Sequence, residues 1–114
     1  MIIMDIHKKG WGYENWLVNN ELYCGKILHF NKAKKCSLHY HKIKDETFYV
    51  LKGALSLYII DGISSIKKHI LKEGDTFHIT PGMCHSVEAI TDVDIIEIST
   101  QHFESDSYRI IRGD

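Results

Sequence analysis

A chain of 114 residues, 44% hydrophobic and 25% charged, has room for one core and the composition of an ordinary globule. Its formal net charge of −1, with Lys and Arg mixed among Asp and Glu, excludes the basic footprint of a nucleic-acid binder. No apolar run is long enough to span a membrane, and three cysteines without paired spacing exclude a disulfide framework. Met1-Ile2-Ile3-Met4 is too short for the core of a signal peptide, so a cytoplasmic protein is expected.

In chain order, short β-type runs dominate. Residues 1–20 show no regular alternation and are expected to pack as a segment on the barrel. Strands are predicted at 22–30, 37–41, 46–51, 54–60, 67–71, 76–79, 86–90 and 93–99. Asn19-Asn20, Gly53, Asp61-Gly62, Gly74-Asp75, Pro81-Gly82 and Thr91-Asp92 punctuate them. Asp61-Gly62 is a hairpin signal, because glycine accepts positive φ. The basic stretch at 32–35 reads as a solvated loop. No stretch has a sustained helical period. Many short strands in so short a chain imply an all-β sandwich or barrel, one domain over 1–114.

Alternation assigns faces. Glu46, Phe48 and Val50 point inward together, opposite Thr47, Tyr49 and Leu51. His85, Val87 and Ala89 form a second inward set. Phe77 and Ile79 share a face, which leaves His78 at the surface or an interface. Tyr40, Tyr49, Leu51 and Tyr58 are expected outward as an apolar face. A second sheet or a partner subunit must cover it, so a homodimer is expected. Cys84 adjoins His85, but neighbours on a strand point apart, which argues against a nucleophile–base pair.

Two segments carry chemistry. Residues 36–53 contain His39-x-His41-x4-Glu46-x6-Gly53. Side chains at i and i+2 leave one face of a strand, so His39 and His41 can chelate one ion. Glu46 follows after the four residues 42–45, a length that suits a hairpin or short loop. Two imidazoles and a carboxylate leave coordination positions open, as a catalytic metal requires. Residues 74–89 add His85 just beyond the Pro81-Gly82 turn.

Together these segments resemble the paired motifs of the cupin superfamily. His39, His41, Glu46 and Gly53 match the first motif, although its leading glycine is absent from the Lys34-Lys35-Cys36 region. Gly74, Gly82 and His85 match the second. Thr80 stands where proline is usual, with Pro81 one place later, and Ala89 replaces an asparagine. The resemblance implies a double-stranded β-helix, or jelly roll. It also implies one divalent transition metal (Zn, Mn, Fe, Co or Ni) on His39, His41, Glu46 and His85.

Over about residues 9–112 the chain also resembles the C-terminal cupin domain of type II mannose-6-phosphate isomerases. Trp11, Gly12, Tyr13, Lys26, Glu97, Glu104, Asp106 and Arg109 occupy family positions. Ser105 replaces an acidic residue, and Ile-Glu-Ile-Ser at 96–99 ends in serine where the family has glutamine. The nucleotidyltransferase domain that precedes this cupin in the family has no counterpart in the 114 residues. The resemblance implies a sugar or sugar-phosphate ligand and aldose–ketose isomerisation. That reaction needs a metal to polarise adjacent oxygens, a base to move a proton between carbons, and polar groups to hold the sugar.

Glu97 is the expected base, because burial among Ile95, Ile96 and Ile98 would raise its pKa. A strand glutamate facing solvent or pairing with Lys26 is the alternative. Lys26 is expected to assist catalysis or bind a substrate oxygen, unless it merely snorkels at a strand end. Trp11 and Tyr13 would wall the pocket mouth or staple the N-terminal segment to the barrel. Arg109 with Lys26 would hold a phosphate, or Arg109 would pair with Glu104 or Asp106. Two other functions fit the metal ligands: a sugar-binding or regulatory module without turnover, and an iron-dependent dioxygenase.

Overall fold

The computed structural model describes residues 4–61 and 65–114. Met1 to Ile3 and Gly62, the second residue of the expected hairpin turn, lie outside that range. The elements are β1 (Ile6–Lys9), β2 (Gly12–Asn19), β3 (Cys24–Phe30), β4 (Leu38–Tyr40), β5 (Glu46–Lys52) and β6 (Ala54–Asp61). They continue with β7 (Ser65–Lys72), β8 (Thr76–Ile79), β9 (Cys84–Ala89), β10 (Val93–Ser99), a 3₁₀ turn (Glu104–Asp106) and β11 (Tyr108–Ile111). A six-stranded sheet runs β1-β2-β3-β10-β5-β8, and a five-stranded sheet runs β11-β4-β9-β6-β7. Every paired strand is antiparallel, and the two sheets face each other as a jelly roll.

The core forms where alternation puts apolar side chains between the sheets. Leu28, Phe30, Phe48, Val50, Ile79, Val93 and Ile95 come from one sheet, and Leu55, Leu57, Ile59, Leu71, Val87 and Ala89 from the other. Trp11 closes one end, stacked on Phe30 at 3.9 Å between centroids. Gly53 ends β5 at φ +87°, where a Cβ would lie 2.2 Å from the Asp92 carbonyl oxygen. The first motif therefore needs glycine there for space and for backbone conformation.

Three strands depart from the sequence expectation. Residues 1–20 do not simply rest on the barrel, since β1 and β2 are hydrogen-bonded into the six-stranded sheet. The mixed sequence Gly-Tyr-Glu-Asn-Trp-Leu-Val-Asn hides β2, because a bulge between Trp16 and Val18 breaks its alternation. β11, also unanticipated, pairs with β4 beside His39. The expected outer face divides in two. Tyr49 and Leu51 lie on the outside of the six-stranded sheet, whereas Tyr40, stacked on Tyr108, and Tyr58 lie on the outside of the other. Among the described residues no helix is long and apolar enough to cross a membrane.

Candidate metal centre

His39 and the residue just after β4, His41, face inward together, and β9 lays His85 directly opposite His39. One nitrogen from each of the three rings lies within 4.8 Å of the others. Glu46, at the start of β5, brings Oε2 to 3.5 Å from His41 Nε2 and 3.9 Å from His85 Nε2. The Thr80-Pro81-Gly82-Met83 turn sets the approach to His85. Met83 N–H donates to Thr80 O, Gly82 takes φ +84°, and its N–H donates to the His41 carbonyl at 2.6 Å.

Hydrogen bonds fix the rings. His39 Nδ1 donates to Ser37 O at 2.8 Å, His41 Nδ1 to Asp106 O at 2.8 Å, and His85 Nδ1 to Met83 O at 2.9 Å. With Nδ1 protonated, each Nε2 keeps a free lone pair. Glu46 Oε2 is buried and has no hydrogen-bond partner. Three lone pairs and a buried, unpartnered oxygen of Glu46 therefore converge. A cation satisfies them, and a set of three imidazoles and one carboxylate suits one divalent transition metal.

Burial holds the imidazoles neutral. It lowers His39, His41 and His85 to about 4, helped at His39 by His85 and at His41 by Lys44. Burial, then the charge of Glu97, raises Glu46 to about 8.

Beside this set lies a buried chain of charges. Lys44 Nζ donates to Glu97 Oε2 at 3.0 Å and stands 3.9 Å from Glu46 Oε1. Lys26, directly across the strand from Glu97, reaches Glu14 Oε1 at 3.4 Å and sits over the Trp16 ring at 4.2 Å. The raised pKa expected for Glu97 is not found. Burial pushes its carboxyl up, but Lys44 and then Lys26 outweigh burial and hold it below the usual range. Neither alternative placement of Glu97 occurs either, since it is buried and its ion-pair partner is Lys44. Burial opposes the charge on Lys44, yet Glu97 and Glu46 raise its pKa overall.

An inner chamber of about 70 Å³ contains the three histidines, Glu46, Lys26, Lys44 and Glu97. It opens to an outer bowl of about 430 Å³ edged by Lys9, Ser37, Glu104, Ser107 and Arg109. Trp11, Glu14, Cys36, His39 and His102 line both. Trp11 is thus both a wall and a core staple. Tyr13 is not brought to the site, because it sits on the outer side of its sheet, stacked on His29 at 5.0 Å. Arg109 reaches the bowl, whereas Lys26 is drawn into the chamber by Glu14, so the two do not meet as one phosphate clamp. Asp106 does not serve as an ion-pair partner for Arg109. Buried, it accepts the backbone N–H groups of Lys42, Ile43 and Lys44 at 2.9–3.2 Å.

His78 is exposed and bonds Asp45 at 2.6 Å. Cys24, Cys36 and Cys84 are free, and burial raises the Cys84 thiol. Lys44 and His102 were not anticipated. Lys44 lies in the loop 42–45, outside the strand that starts at Glu46, so strand alternation does not place it. His102 likewise lies in an irregular loop.

A cupin-domain family profile matches residues 26–99, and the chain belongs to the cupin family. Its structure is similar to oxalate decarboxylase from Bacillus subtilis, with 18% identity, a TM-score of 0.84, 94% of this chain and 30% of that one. A structure of the same enzyme described by its Mn(II) centres gives 19% identity and a TM-score of 0.82, with the same coverage. The capsular polysaccharide assembling protein CapF from Staphylococcus aureus gives 16% identity and a TM-score of 0.85, with 97% of this chain and 35% of that one. The chain thus spans about a third of these proteins' length. No curated protein matches the sequence.

Proposed function

We propose that the protein is a metal-dependent enzyme acting on a sugar or sugar phosphate by moving a proton between adjacent carbons, as an aldose–ketose isomerase does. The observation that carries this reading is the ionised Glu97–Lys44 pair in the wall of the chamber that holds the metal-facing groups. A bound divalent metal supplies Lewis acidity at neighbouring substrate oxygens. Glu97 takes the proton from one carbon and returns it to the next, so the reaction needs no oxidant or reductant. Lys44 offers an ammonium to oxygen as negative charge grows there. The charge of Lys26, directly across the strand, helps keep Glu97 ionised, and Trp11 shapes the entrance. Arg109 binds the polar end of the ligand in the bowl.

A second reading is a sugar-binding module without turnover. The lowered pKa of Glu97 favours it, since a carboxylate fully compensated by lysines is a weak base. Proton-exchange NMR of the metal-loaded protein in D₂O, against a panel of sugars and sugar phosphates, separates the two. Deuterium should enter at C1 or C2, and Glu97→Gln should slow it by roughly 10²–10⁴-fold while keeping the metal. Equal exchange by the variant removes Glu97 from the role, and ligand binding without exchange establishes the binding module. We further infer a homodimer and, from three free thiols, a cytoplasmic setting.

A further inference from the structure

Four imidazoles line the inner chamber, and His102 is wired opposite to the other three. His39, His41 and His85 each donate from Nδ1 to a backbone carbonyl. His102 Nδ1 instead stands 3.2 Å from Lys44 Nζ. An ammonium has three donors and no lone pair, so this Nδ1 must accept. Glu97 at 3.0 Å keeps Lys44 charged. A neutral imidazole whose Nδ1 accepts carries its proton on Nε2. That Nε2 points away from Lys44 to Glu104 Oε1, 3.5 Å off, on a side chain that is 77% exposed.

The ring is held where a loop alone would not hold it. Asn19 grips its backbone twice: Oδ1 accepts the His102 N–H at 2.8 Å, and Nδ2 donates to the His102 carbonyl at 3.1 Å. Trp16 meets the imidazole edge-on, with centroids 5.2 Å apart. The other residues lining both cavities are committed elsewhere. Trp11 stacks on Phe30, Glu14 is tied to Lys26 and Trp16, His39 faces the metal set, and Cys36 Sγ accepts the Val87 N–H. His102 therefore brings to the throat a donor whose present partner is a solvated, easily displaced carboxylate.

We propose that His102 presents a fixed Nε2–H to a substrate oxygen at the throat between chamber and bowl, taking the place of Glu104, and so orients the ligand over the metal set. The identity of that ligand rests on the sugar reading above, but the wiring of the ring does not. Long-range ¹H–¹⁵N NMR of the zinc-loaded chain at neutral pH reads the wiring directly. His39, His41 and His85 should appear as Nδ1–H tautomers and His102 as Nε2–H, and Lys44→Met should release His102 to a mixture. A His102 that is Nδ1–H or doubly protonated overturns the proposal.

The role is read by His102→Leu and His102→Gln in the deuterium-exchange assay with sugar phosphates. Leu should cost roughly 10²-fold or more, and Gln, which keeps an N–H at similar reach, should retain most of the rate. Both should hold zinc like wild type. A Leu variant as fast as wild type overturns the proposed role. If wild type exchanges with no sugar in the panel, the isomerase reading fails, and the His102 proposal is then decided by the tautomer alone.

Discussion

Glu46 is the residue whose protonation governs the centre. Without metal its carboxyl is raised to about 8, while the three imidazoles are lowered to about 4. Metal requires the carboxylate and the neutral rings. Between those values the rings are already neutral and Glu46 still holds its proton, so metal uptake should expel about one proton, from Glu46. Apparent affinity should climb about tenfold per pH unit across that window and level off above it. Calorimetry at pH 6.5 in buffers of different ionisation enthalpy counts the proton. Glu46→Gln should abolish the release and flatten the pH dependence, whereas release unchanged in that variant would place the proton elsewhere. His41→Ala removes a ligand outright, and elemental analysis should find well under one metal per chain.

At the scale of elements, the loop 42–45 between β4 and β5 places Lys44, and Asp106 holds that loop. Its carboxylate accepts three successive N–H groups, and its carbonyl fixes His41 Nδ1. Burial raises its pKa, but those backbone donors more than reverse the shift. A depressed folded-state pKa contributes stability above the unfolded value, and that stability is lost as pH falls through the folded one. Asp106→Ala should cost about 2–3 kcal/mol at neutral pH. Asp106→Asn, which keeps the shape without the charge, should cost less. Urea unfolding at pH 7 and pH 3 tests both, since the gap between wild type and Asp106→Asn should narrow at the lower pH.

The same loop explains what could be read in advance. His39, His41, Glu46 and His85 were legible because their spacing is a local property of strands and one Pro-Gly turn. The roles of Asp106 and His102 were not. Each is set by a chain segment that returns across the barrel mouth, 62–64 residues from the loop backbone for Asp106 and 58 from Lys44 for His102. Glu97 was placed at the site by resemblance, but its ionisation depended on a lysine that only the fold brings within 3.0 Å.

Over the whole molecule, both sheets leave apolar side chains uncovered on their outer faces. Cross-strand register lines up Asn15, Ile27, Ile96, Tyr49 and Thr76 in one row outside the six-stranded sheet, and Val18, Gly25, Ile98, Thr47 and His78 in the next. Ile98 is 59% exposed and Leu51 49%. β-Branched and aromatic side chains in adjacent rows of an antiparallel sheet form a flat apolar surface of the kind that isologous pairing covers. The outside of the five-stranded sheet is apolar too, with Ile66 67%, Ile70 55% and Ile111 62% exposed, although Tyr58 there is tied to Glu88 and Tyr40 is stacked on Tyr108. The homodimer is expected through the six-stranded sheet, and the outer face of the five-stranded sheet is the alternative. Sedimentation at micromolar concentration should give about twice the 13.2 kDa of the chain. Ile98→Asp would bury a charge at the centre of that contact without touching the chamber, so it should yield monomer that still binds metal. A wild-type species at the chain mass would remove the dimer, and a dimer that survives Ile98→Asp would move the interface to another face.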